Sequence, residues 1–139
     1  MTTAEVFSIA NMMAMPMWIL LILLPKWKVT RFLIDYKIIP LALSLFYVYY
    51  VAISIQAGGM DFGSLASVME LFTKEHAVMA GWVHYLAFDL LIGMWMVNQN
   101  RTLKIHQILL APCLFFTFML GPVGFLLFMG MRAAKLKLS

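Results

Sequence analysis

The chain has 139 residues, 64% of them hydrophobic and only 12% charged, where a soluble domain carries roughly 25% charged residues. So few ionic groups cannot cover a globule of this size, which excludes a single soluble domain and leaves lipid to solvate much of the exterior. The formal charge of +4 comes from Lys and Arg residues set in short segments between apolar runs, a pattern of membrane topology rather than the continuous basic face that a nucleic acid requires.

The opening MTTAEVFSIANMMAMP carries Glu5 and no basic residue, and no small-x-small cleavage pattern follows before Pro25-Lys26. It lacks the marks of a secretory signal or an Arg-rich transit peptide, so the first apolar segment is expected to remain. Spanning the hydrocarbon takes about 20 apolar residues, and four stretches qualify, at 6–24, 38–57, 77–97 and 105–131. The expectation is one all-α domain over 1–139, a polytopic four-helix transmembrane bundle. Between its second and third helices, Leu65, Val68, Met69 and Phe72 recur at helical spacing and Ser67-x-x-Glu70 has the capping-box form, which predicts a short interfacial helix within 62–75.

Four crossings would put both termini on one side. The first loop holds Lys26, Lys28, Arg31 and Lys37 and the third Arg101 and Lys104, while the opposite face would hold Lys74 and the tail's Arg132, Lys135 and Lys137. That bias places loops one and three in the cytoplasm of a bacterial inner or thylakoid-type membrane. Pro16, Pro112 and Pro122 each remove a backbone donor, freeing the carbonyls of residues 12, 108 and 118 for side chains or water and predicting kinks.

The chemistry concentrates on the third segment, HAVMAGWVHYLAFDLLIGMWM, where His84 and Asp89 fall within about 5 Å of the midpoint at 1.5 Å per residue. A central Asp costs about 2.5–3.5 kcal/mol to insert, so it needs partners or a function. The five-residue offset sets the two about 140° apart around the helix, flanking one broad inward face. The structural alternative is that both only fix helix register through hydrogen bonds. Gly81, Tyr85, Asp89 and Gly93 recur at four-residue steps, as do Cys113, Thr117 and Gly121 on the fourth segment, and close packing along these two stripes is expected. Matching depths across the segments gathers a polar cluster of Asn11, Tyr47, His84, Asp89 and Thr117, within an aromatic surround that includes Trp82 and Tyr85. A metal site is not expected. His76 and His106 lie near opposite faces, Cys113 is the one cysteine, and methionines dispersed through apolar runs fit packing better than copper ligation.

The strings GWVHYLAFDLLIG (81–93) and APCLFFTFMLGPVGFLL (111–127), with PMWILLILLPKWKVTR near the start and FGSL at 62–65, resemble the membrane-protein family named for the plant abscisic-acid-deficient-four protein, which is required for neoxanthin formation. Departures from the plant pattern are expected at the opening, which does not read as a transit peptide, and at Met94, where a basic residue is expected after the glycine of the third segment. The resemblance implies a four-helix membrane protein that binds a carotenoid or other isoprenoid, and a xanthophyll isomerase that needs no cofactor. Opening a 5,6-epoxide to an allenic alcohol requires one proton removed from the polyene and one delivered to oxygen, work suited to a carboxyl and an imidazole. His84 and Asp89 are the expected pair, in either order, with Asn11, Tyr47, Trp82, Tyr85 and Thr117 as substrate contacts. The alternative is a pigment- or lipid-binding accessory subunit with a membrane-protein partner.

Overall fold

In a computed structural model, which describes residues 1–138, every regular element is helical: α1 Thr3–Leu23, α2 Lys28–Tyr36, α3 Ile38–Gln56, α4 Leu65–Leu71, α5 Glu75–Leu103, α6 Gln107–Leu120 and α7 Pro122–Leu138. α1 starts ahead of the apolar run because Thr2 and Glu5 form a capping box, the Thr2 hydroxyl accepting from the Glu5 amide and the Glu5 carboxylate from the Thr2 amide. α2 occupies what the charge pattern presented as a loop. It buries Thr30 and Ile34, exposes Lys28, Arg31, Phe32 and Tyr36, and ends at Lys37 in the left-handed conformation, φ 51°. The short helix expected within 62–75 is α4, but its N-cap is Ser64, whose hydroxyl accepts from the Ser67 amide at 3.1 Å. Ser67 therefore lies inside the first turn rather than capping it.

Three stretches are long and apolar enough to cross a bilayer: Thr3–Leu23, Lys28–Gln56 and Glu75–Leu103. α5 is the central one, with α3 antiparallel on one flank, where Tyr47 meets His84 and Tyr50 stacks on His76. On the other flank α1 runs parallel to it. Asn11 lies level with Trp82, and Trp18 level with Gly93, where a methyl in place of hydrogen would come within 2.7 Å of the Trp18 ring. Gly93 thus admits the fully buried Trp18, whose other edge meets Phe118 of α6 at 5.4 Å between centroids.

The fourth apolar segment is not one crossing. α6 ends at Gly121, whose φ of 40° and ψ of −91° form a conformation open in practice only to glycine, and Pro122 starts α7, where a missing amide hydrogen matters least. The chain reverses there. In a straight helix residues 113 and 131 would stand about 27 Å apart, yet the sulfurs of Cys113 and Met131 are 3.6 Å apart. Gly124 is seated on the backbone of Thr117 and Cys113, and Arg132 Nε reaches Gln99 Oε1 at 3.4 Å at the end of α5 where the segment began. α6 and α7 are about 21 and 25 Å long by residue count, each short of the roughly 30 Å of hydrocarbon. They form a helical hairpin that enters from one end of the bundle and returns to it, so Pro122 marks a reversal and not a kink.

The hairpin also redistributes charge. Its return carries Arg132, Lys135 and Lys137 to the end that holds loops one and three, so nine of the ten Lys and Arg residues gather there and only Lys74 lies at the other end. The expected split, with the tail opposite those loops, is corrected by this geometry. In a background where Cys113 is replaced by Ser, single cysteines at Lys104 and Lys135 should be modified by an impermeant reagent from the same face, and one at Ser64 from the opposite face. Labelling of Lys135→Cys together with Ser64→Cys would instead mean that the fourth segment crosses the membrane.

Candidate functional site

The hairpin tip places a break in helical hydrogen bonding against the middle of α5. Backbone interrupted at this depth has no water to satisfy it and must find partners in the protein. Pro122 cannot donate to the carbonyl of Phe118, and the turn at Gly121 frees that of Met119. Both carbonyls accept from the Tyr85 hydroxyl, at 2.9 and 3.0 Å. The freed carbonyl at 118 was legible from the position of Pro122, whereas its donor was not. One turn further along α5, the Asp89 carboxyl lies against Gly121, where a methyl would come within 2.9 Å of Oδ1. Tyr85 precedes Asp89 by four residues, on the same face of α5.

Tyr85 and Asp89 therefore serve the two sides of the break. The hydroxyl satisfies the last carbonyls of α6, and the carboxyl sits beside the residue preceding α7, where the positive end of the helix dipole favours an acidic oxygen. Asp89 Oδ2 is buried and has no hydrogen-bond partner among the described residues. A buried acceptor left unpaired is costly, so this oxygen calls for a partner that the described residues do not supply. Tyr85→Phe should lower stability by about 1 kcal/mol or more by leaving both hairpin carbonyls without a donor. Unfolding of the purified protein measures this, and an unchanged midpoint would mean that other groups satisfy the tip.

The aromatic wall continues from this point. Trp82 stacks on Tyr85 at 5.4 Å between centroids, tilts against Phe7 at the same distance, and donates from Nε1 to Asn11 Oδ1 at 2.9 Å. Phe7 and Trp82 are open to the exterior. Asn11, Trp82, Tyr85 and Asp89 thus form one continuous face between α1, α5 and the hairpin tip.

The remaining members of the expected cluster lie elsewhere. His84 is exposed on the α3 side of α5, edge-on to Tyr47 at 5.6 Å and to Phe88 at 4.5 Å. The expectation of a buried His84 sharing an inward face with Asp89 is corrected, because the 140° between them is divided by packing: α3 takes one flank, and α1 with the hairpin takes the other. Thr117 is fully buried, donating to the Cys113 carbonyl at 2.7 Å beneath Gly124. The stripe of Cys113 and Thr117 accordingly receives α7, while the Thr117 hydroxyl also lies 3.6 Å from the Met96 sulfur of α5. Thr117 would join the expected cluster only on one straight fourth helix, and the reversal at Gly121 buries it beneath Gly124 instead.

The three histidines are used separately: His76 against Tyr50, His84 against Tyr47 and Phe88, and His106 as the N-cap of α6, its Nδ1 accepting from the Ile108 amide. Among the described residues, no group of three or more His, Cys, Asp and Glu side chains is placed to hold a metal. A sequence model for proteins described as ABA DEFICIENT 4-like matches residues 5–128. No curated protein and no solved structure matches the chain.

Proposed function

The chain belongs to the ABA DEFICIENT 4-like family, and from that premise we propose that it binds a carotenoid or related isoprenoid within the membrane and isomerises it by proton transfer at Asp89. The observation that carries the proposal is the Asp89 carboxyl at the hairpin tip, with one buried oxygen unpartnered and Tyr85 beside it. The family resemblance of the motifs around residues 81–93 and 111–127 supplies the substrate class, a xanthophyll epoxide.

The polyene lies along the outward aromatic face of Phe7, Trp82 and Tyr85, where flat rings match a flat conjugated chain, and its epoxide end reaches Asp89. Isomerisation then needs no redox partner. A C–H proton leaves the polyene, its electron pair forms the new double bond, the epoxide C–O bond breaks, and the oxygen gains a proton. Asp89 exchanges the proton with substrate, which fits a general acid and base of the usual kind, and Tyr85 holds the hairpin tip against which the carboxyl sits. His84 and Tyr47 line a separate lipid-facing contact on the α3 side. The basic end faces the cytoplasm, since nine of the ten Lys and Arg residues gather there.

The rival is a pigment-binding accessory subunit without turnover. Expression in a host that accumulates a 5,6-epoxy carotenoid separates the two. The catalytic proposal expects an allenic product that depends on Asp89, while pigment co-purifying unchanged with the folded protein would leave binding alone.

A further inference from the structure

At the basic end, the α1–α2 connection, α2, α5 and α6 line a cavity of about 800 Å³ far from the hairpin tip. Its walls include Lys26, Arg31, Arg101, Lys104 and His106, and no carboxylate. Asp35 is the one acidic residue at this end of the bundle. It pairs with Arg101 at 3.4 Å through side chains 54% and 37% exposed, a contact that solvent screens and that neutralises little. Lys26, Arg31 and Lys104 have no carboxylate partner among the described residues. Clustering like charges without counter-charge is unfavourable unless an anion joins them.

The cavity is built rather than incidental. Asn100 grips residue 105 through its side-chain nitrogen and its oxygen, donating to the Ile105 carbonyl at 2.9 Å and accepting from the Ile105 amide at 2.7 Å. This fixes the turn in which Lys104 adopts a left-handed φ of 56°. Gln107 Nε2 donates to the carbonyls of Ile22 and Leu23, at 3.0 and 2.9 Å, tying the start of α6 to the end of α1. The N-terminus of the 14-residue α6 thereby joins the cavity wall, adding its dipole to the cationic side chains.

Beside it lies a second recess of about 460 Å³, which shares Pro25, Lys26 and Gln107 with the first and is otherwise walled by Leu23, Leu24 and Trp27. A cationic cavity at headgroup depth opening onto an apolar recess matches a molecule with an anionic head and a hydrocarbon tail. We propose that this end of the protein is a binding site for an anionic phospholipid, its phosphate held by Lys26, Arg31, Arg101 and Lys104 and its tail lying over Leu23, Leu24 and Trp27. The site is independent of Asp89 and of any carotenoid.

The test uses the full chain in detergent with phosphatidylglycerol and phosphatidylcholine of the same acyl chains, binding being counted by native mass spectrometry. Phosphatidylglycerol should bind preferentially, and Arg31→Gln with Lys104→Gln should weaken it at least about tenfold, the scale of lost charge-assisted hydrogen bonds. The control, Lys135→Gln with Lys137→Gln, removes the same charge from the same end and should leave binding within about twofold, because exposed charge outside the cavity contributes little. Thermal unfolding without lipid verifies that both double variants are folded. Equal weakening by the two pairs would reduce the effect to diffuse surface charge and overturn the proposal. Equal affinity for phosphatidylcholine would overturn it as well. Inorganic diphosphate supplies the last arm. Binding of diphosphate as tight as that of the lipid would make the occupant a soluble phosphate and reject the amphiphile.

Discussion

Gly124→Leu is expected to abolish the folded hairpin, leaving a protein that fails to accumulate or unfolds well below the parent. A side chain at this position would run into the Thr117 amide and hydroxyl and the Cys113 carbonyl. These are mostly backbone atoms of a helix that cannot move aside. Overpacking of cores costs typically about 1–3 kcal/mol when side chains can yield, and here the obstruction is main chain, so the upper part of that range or more is expected. Gly130→Leu, on the same helix with open space around its Cα, is the matched control and should be tolerated. Comparing unfolding midpoints of the two variants in one detergent measures the difference. Equal stability would mean that α7 does not pack on α6 in this way, and would restore the single fourth crossing.

Asp89→Asn is expected to reduce carotenoid conversion on the order of 10²-fold or more, the scale for a lost general acid or base, with the protein folded and pigment retained. The amide keeps the shape of the carboxyl beside Gly121 and removes its capacity to exchange a proton. His84→Gln should leave conversion near the parent level, because His84 packs on Tyr47 and Phe88 away from the tip. Thermal stability and carotenoid profile must be read on the same preparations. A purely structural Asp89 would lose stability first and lose product only in proportion to folded protein. An unchanged profile in stable Asp89→Asn would reject catalysis and favour the accessory role.

Several features followed directly from the order of residues. Composition excluded water as the main solvent, the first three apolar runs located α1, α3 and α5, and the position of Asp89 within 77–97 placed a carboxyl near the middle of the third segment. Pro122 identified the carbonyl of residue 118 as needing a donor. These are local properties, set by side-chain transfer energies and by the rise of a helix. The amphipathic α2 was also readable, from Thr30, Leu33 and Ile34 on one side and Lys28, Arg31 and Asp35 on the other, but its charges dominated the loop assignment.

What only the tertiary structure decided is how the apolar run 105–131 is used. A Gly-Pro step within such a run suits a kinked crossing and a reversal equally well, since both need a flexible residue followed by one without an amide hydrogen. The choice depends on whether a distant surface fits the returning helix, and here Gly124 lies on Thr117 while Phe125 and Phe128 meet Trp95. That single reversal brings the C-terminal cations to the end of the bundle that carries the other basic residues and sets the helix break against Asp89. It also turns Cys113 and Thr117 toward α7 and leaves His84 on the opposite flank. Residue order sets which groups must be buried or paired, but partners on separate helices are selected by shape complementarity, which no local pattern encodes.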